Sequence, residues 1–193
     1  MKTAVVTDST AYLPQEVRDK LKIRMIPLSV NFGDESYQEE IEITASEFYK
    51  MVKEKELPTT SQPPTGKFVE LFEELKNEGY DAVISIHLSS GISGTYQGAA
   101  TAGEMVEGID VYPYDSELSC MAQGFYVLEA AELALAGKTP DEIIARLDEM
   151  KKTVRAYFMV DDLSHLQRGG RLTGAQAFIG SLLQVKPLLH FVD

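Results

Sequence analysis

Short β-branched runs alternate with segments that carry helix-start signals, and this alternation restricts the possible folds more than any other feature of the chain. Residues 3–7, 24–30, 81–88, 109–114 and 155–160 read as strands. Helical patterns lie between most of them. Pro14 begins a segment that runs to Leu21, in the first-turn position where its missing N–H costs nothing. Thr44 with Glu47, and Thr139 with Glu142, have the spacing of capping boxes. The first precedes Phe48, Met51 and Val52; the second precedes Ile143, Ile144 and Leu147. Phe68, Leu71, Phe72 and Leu75 recur at helical spacing, and Gly79 follows as a stop. The pattern predicts an α/β fold, with a mostly parallel sheet flanked by helices on both faces.

Three stretches depart from this rhythm. Residues 31–42 are polar, acidic and turn-rich, and are expected to form a surface hairpin or loop. Residues 57–65 hold Pro58, Pro63 and Pro64 among threonines and a serine, which predicts a stiff extended connection. At the end of the chain, residues 178–183 have an amphipathic helical pattern and residues 186–192 read as a strand with no later element to pair with it. An N-terminal α/β domain is therefore expected over residues 1–154, and the beginning of a second, incomplete α/β domain over residues 155–193.

Composition excludes several classes. A formal net charge of -12 argues against nucleic acid and against anionic lipid surfaces as partners, since both need a basic face. Cys120 is the only cysteine, so no intrachain disulfide can form. The N-terminus turns polar too early for a signal peptide, and no apolar run reaches the ~20 residues of a transmembrane segment. A soluble, cytoplasmic protein is the expectation.

Ligands of parallel sheets bind beyond the carboxyl ends of the strands. Polar turns fall at such ends at Asp8-Ser9-Thr10, at residues 89–95, at Asp115-Ser116 and at residues 161–164, and the loop through Thr60, Ser61 and Gln62 can reach over them. Any one of these turns reads equally well as a helix cap or a self-bonded loop. The turn after residues 81–88 goes beyond capping, because it offers Ser89, Ser90, Ser93 and Thr95 together with Gly91 and Gly94. Hydroxyls, close backbone approach and the opening of an alanine-rich helix suit an anion there, a carboxylate or a phosphate.

Other chemistries fit less well. Gly91-Ile92-Ser93-Gly94-Thr95 fails the last position of a hydrolase nucleophile elbow. His87, flanked by Ile86 and Leu88, reads as a hydrogen-bonded core histidine. His165 beside Asp161 and Asp162 lacks metal-ligand spacing, and no phosphate-loop signature follows Gly94. Gly169-Gly170 before Arg171 can aim a guanidinium at an anion, or can simply end a helix.

Five blocks in this order resemble the DegV family of bacterial fatty-acid-binding proteins. They are Asp8 to Ala11, Thr60 to Pro63, Ser89 to Tyr96, Leu166 to Arg171 and Ile179 to Leu188, so the resemblance spans the chain. It implies two α/β domains with a long-chain fatty acid of about C16–C18 in the cleft between them. The carboxylate is then bound by Thr60 and Ser93, with Ser61, Gly94 and Arg171 as secondary candidates. Arg171 organises the loops at the mouth, contacts the head or faces a partner. The acyl tail enters an apolar tunnel, for which Ile92, Phe178, Ile179 and Leu182 are candidate linings and equally ordinary core.

The resemblance further implies a non-catalytic protein without metal or cofactor. It hands its fatty acid to a separate ATP-dependent fatty acid kinase subunit, which makes an acyl-phosphate for phospholipid synthesis. Family members are about half again as long, and a histidine from their returning segment, near the head group, has no counterpart in this sequence. Two other readings follow from the same residues: a truncated interaction module that retains no lipid, and an enzyme acting on a small anionic ligand.

Overall fold

A computed structural model describes residues 1–54, 57–160, 163–172 and 188–191. They form two compact units, Met1–Thr153 and Val154–Asp193. The first unit runs β1 (Thr3–Asp8), α1 (Gln15–Leu21), β2 (Ile23–Ile26), β3 (Ser29–Phe32), β4 (Glu35–Gln38), α2 (Ala45–Glu54) and β5 (Thr59–Ser61). It continues through α3 (Thr65–Asn77), β6 (Ala82–His87), α4 (Thr95–Met105), β7 (Asp110–Asp115), α5 (Cys120–Leu135) and α6 (Pro140–Lys151).

Four strands make a parallel sheet in the order β2-β1-β6-β7. Its two central strands, β1 and β6, are buried at every position, which is why both read as continuous runs and not as alternating ones. One face packs Ala4, Val6 and Val83 against Phe68, Phe72 and Leu75 of α3 and Ala99 and Ala102 of α4. Thr7 alternates with Val6 and so points to the opposite face, where its hydroxyl accepts a 3.1 Å hydrogen bond from Gln123 of α5. The sheet thus carries helices on both faces, as its sequence pattern requires. Helix α4 can lie close to β7 because Gly103 has no side chain: a Cβ there would come within 2.9 Å of Val111 Cβ. Both predicted capping boxes form, at Thr44 with Glu47 and at Thr139 with Glu142.

Residues 24–30 are not one strand. Pro27 has no N–H to give to a ladder, so β2 stops at Ile26, and Leu28 N–H donates to Ser9 Oγ at 3.0 Å. The chain then enters a separate antiparallel sheet of order β4-β3-β5. The acidic stretch supplies its hairpin and the proline-rich connection supplies its edge strand β5. Val30, Phe32 and Ile43 are buried there under Phe48, Met51 and Val52, whose side chains belong to α2.

The second unit contains β8 (Tyr157–Phe158), α7 (Leu163–Arg168) and β9 (Leu189–His190). The strand expected over residues 155–160 is only two residues long. The terminal strand does have a partner: β9 pairs antiparallel with β8, Tyr157 opposite His190. The helix expected over residues 178–183, the turn residues Asp161 and Asp162, and both flanks of the 186–192 strand lie outside the described residues.

Candidate functional site

The carboxyl ends of β1 and β6 are tied together by one buried carboxylate. Asp8 Oδ2 accepts the Leu88 N–H at 3.0 Å and lies 3.0 Å from His87 Nδ1. Its Oδ1 accepts from Thr10 N–H at 3.0 Å and from the Thr10 hydroxyl at 2.6 Å. Burial pushes the Asp8 carboxyl up; the bond and charge of His87, with the Thr10 and Leu88 bonds, outweigh it and hold the group below its ordinary value. The other ring nitrogen of His87 meets Ser85 Oγ at 2.6 Å, and the Phe68 ring packs edge-on against the imidazole.

Ser85, His87 and Asp8 thus follow one another in the order of a hydrolase triad, but all three are fully buried. No substrate reaches Ser85. With both ring nitrogens engaged, His87 does not serve Ser93 as a base. The core reading of His87 therefore holds.

The turn beyond Leu88 is fixed from the other side by β7. Ser89 N–H donates to Leu118 carbonyl at 2.7 Å, and Ser90 N–H to the Asp115 carboxylate at 3.2 Å. Asp115 also accepts from Glu117 N–H, and Ser116 Oγ from Leu118 N–H, so the Asp115-Ser116 turn is closed by its own side chains. The turn is closed by Gly91 N–H donating to Ser89 Oγ and Ser93 N–H to Ser89 carbonyl. The result is a rigid exit from β6 that delivers Ser93 and Gly94 to the start of α4.

Ser93 is half-buried, and its Oγ accepts from Thr95 N–H at 3.3 Å and lies 2.8 Å from the buried Thr95 hydroxyl. Either hydroxyl can be the donor of that pair. When Thr95 donates, the Ser93 proton is left for another acceptor. Gly94 caps α4 without a side-chain hydrogen bond, and the first turn of α4 holds no acidic residue. No acidic side chain of the first turn therefore offsets the positive end of this helix.

The 59–62 segment borders the same turn. Thr60 and Ser61 are exposed on β5, opposite Val30 and Ser29. Ser61 Oγ accepts from Asn31 Nδ2 at 3.2 Å, whereas the Thr60 hydroxyl makes no hydrogen bond among the described residues. One residue beyond β5, the amide of Gln62 fills the space that a Cβ on Gly94 would need, so this position admits only glycine without displacing it. That contact was missed in the sequence, where an exposed glutamine before two prolines carries no periodic signal.

Arg171 belongs to the second unit. There Gly169 and Gly170 end α7, Gly170 with φ +78°, and the Arg171 guanidinium donates to the Gly169 carbonyl at 2.5 Å. Ile92 is half-buried in the turn; Phe178, Ile179 and Leu182 lie outside the described residues. Among the described residues, no three His, Cys, Asp or Glu side chains are grouped to hold a metal ion. No described helix is long and apolar enough to cross a membrane.

A parallel sheet flanked by helices, with a hydroxyl-rich turn at its strand ends, places the chain among α/β proteins. The chain belongs to the DegV family: the model of that family, described as "Uncharacterised protein, DegV family", matches residues 2–193. Protein DegV of Bacillus subtilis (strain 168) is 67% identical over 193 residues, covering 99% of this chain and 68% of that protein. The crystal structure of DegV from Bacillus subtilis, described as a fatty acid binding protein, matches with a TM-score of 0.92 at 66% identity, over 100% of this chain and 69% of that one. The structure of a DegV family protein from Thermus thermophilus, described by its fatty acid binding, matches with a TM-score of 0.87 at 38% identity, over 100% and 68%.

Proposed function

We propose that this chain binds a long-chain fatty acid through its carboxylate at Thr60 and Ser93 and presents it to a separate ATP-dependent kinase. The observation that carries this reading is the turn at Ser93 and Gly94. It combines a half-buried hydroxyl, a helix start without acidic residues and the bordering 59–62 segment. The fatty acid binding described for the Bacillus subtilis and Thermus thermophilus relatives points to the same ligand class.

The division of labour between tail and head follows from physical chemistry. Burying some fifteen methylenes at about 0.8 kcal/mol each yields on the order of 12 kcal/mol before costs. The tail therefore supplies the affinity, and the head needs only compensation for lost water. Hydroxyl and backbone donors give that compensation and leave the carboxylate nucleophilic, whereas a tight arginine pair would quench it. In the kinase step, a carboxylate oxygen forms a bond to the γ-phosphorus of ATP as the bond to ADP breaks. The acyl-phosphate so formed suits phospholipid synthesis. On this reading the binding protein itself supplies no catalytic group, acts in the bacterial cytoplasm and continues from domain 1–154 into a second α/β domain begun at 155–193.

The test is Thr60→Ala combined with Ser93→Ala. Palmitate binding, followed by titration calorimetry, should weaken by about a hundredfold or more, since each hydroxyl bonds a charged group. The unit should stay folded with its thermal midpoint a few degrees lower, because Ser93→Ala leaves the buried Thr95 hydroxyl without its bond. Unchanged affinity removes the head-group assignment.

A further inference from the structure

We infer that Gln62 is a third head-group ligand, the residue that makes this site select a carboxylate over a neutral lipid head; the inference rests on the fatty-acid reading above. Its backbone is fixed on both sides. Residues 59–61 are paired to β3, and Pro63 and Pro64 follow, which holds Gln62 in extended geometry and aims its side chain. The amide lies over Gly94, with Oε1 and Cδ both inside the space a Cβ would occupy there. One helical turn further on, Gly98 continues the same bare strip, its Cβ position 3.6 Å from Gln62 Nε2. Two glycines at i and i+4 thus form a track on which the amide rests, the first of them lying between Ser93 and Thr95 in the chain.

The amide has no hydrogen-bonded partner among the described residues, although it carries two N–H donors and an acceptor oxygen. Such a group is ready to exchange its water for a ligand. A half-turn about its terminal bond swaps nitrogen for oxygen in place, so the donors can face whatever sits at Ser93. A carboxylate gains one charge-assisted bond from such a donor; an alcohol or ester head gains less, because hydrogen bonds to charged groups are about twice as strong. Being neutral, the amide adds selectivity without the ion pair that would hold the carboxylate back from phosphoryl transfer.

The experiment compares palmitate with 1-hexadecanol, both delivered from cyclodextrin, on the wild-type chain and on Gln62→Ala, Gln62→Glu and Gly94→Ala. Gln62→Ala should weaken palmitate by about tenfold, the order of one bond to a charged group, and hexadecanol by less than about twofold. Gln62→Glu should weaken palmitate further, because it sets like charges together, and again spare hexadecanol. Gly94→Ala pushes the amide aside and should reproduce the Gln62→Ala loss, with the double variant no worse than either single one.

Gln62 is exposed, so these variants keep the fold, and the thermal midpoint verifies it. Equal losses for acid and alcohol, or no loss for the acid, overturn the inference while leaving the fatty-acid reading in place. A wild-type chain that binds neither lipid overturns both.

Discussion

Replacing Asp8 by asparagine should cost the first unit about 4 kcal/mol. The wild-type carboxylate is fully buried and accepts from Leu88 N–H, from Thr10 N–H and from the Thr10 hydroxyl, besides meeting His87. An asparagine has one oxygen where the carboxylate has two. Its NH2 must then face either the Leu88 N–H or the Thr10 donors, leaving one set unpaired in the interior. Breaking one member of a buried, hydrogen-bonded charge network costs about 3–5 kcal/mol. For a unit of this size that is a fall of roughly 8–16 °C in the thermal midpoint.

Urea unfolding followed by circular dichroism measures the loss directly. A pH series adds a second reading. The Asp8 carboxyl is held below its ordinary 3.8, so its contribution is present above that pH and disappears as pH falls through the lowered folded-state value. The variant lacks this contribution, and its stability should fall less steeply than the wild type's below about pH 4. A loss under about 1 kcal/mol with an unaltered acid limb would refute the claim that this carboxylate ties the two central strands together.

Phe72→Ala should destabilise the same unit by about 3–5 kcal/mol, since the ring is fully buried between helix and sheet; a shift within the error of urea titration contradicts the packing described. The Glu142 carboxyl, drawn down to about 2 by its bond to Lys138 and by the Thr139 N–H, should titrate near that value by NMR and move up in Lys138→Met.

Much of the parallel sheet was legible because β1 and β6 are buried on both faces and therefore read as continuous runs of apolar, β-branched and small residues. The antiparallel sheet was not. Its strands are three or four residues long, and Thr59–Ser61 is exposed throughout, a strand only because β3 pairs with it. Pro27 marks the boundary between the two sheets, yet apolar residues on both sides of it made one run out of two. At the site, the Ser93 turn stands out through its excess of hydroxyls, and Ser85 and His87 share a strand face by simple alternation. That Asp8 joins them depends on which strands are neighbours, which no local pattern encodes. Gln62 and Gly94 meet only through the fold, so their contact left no trace in spacing.

On the proposed reading, the turn at Ser93 receives the head of a long acyl chain. Denaturing solvent extraction of the purified chain, with mass spectrometry of the extract, tests it most directly. One saturated or monounsaturated acid of about sixteen to eighteen carbons should be recovered per protein molecule, a length whose buried methylenes can hold it through purification. An extract free of fatty acid, from protein that also fails to take up added palmitate, would contradict it.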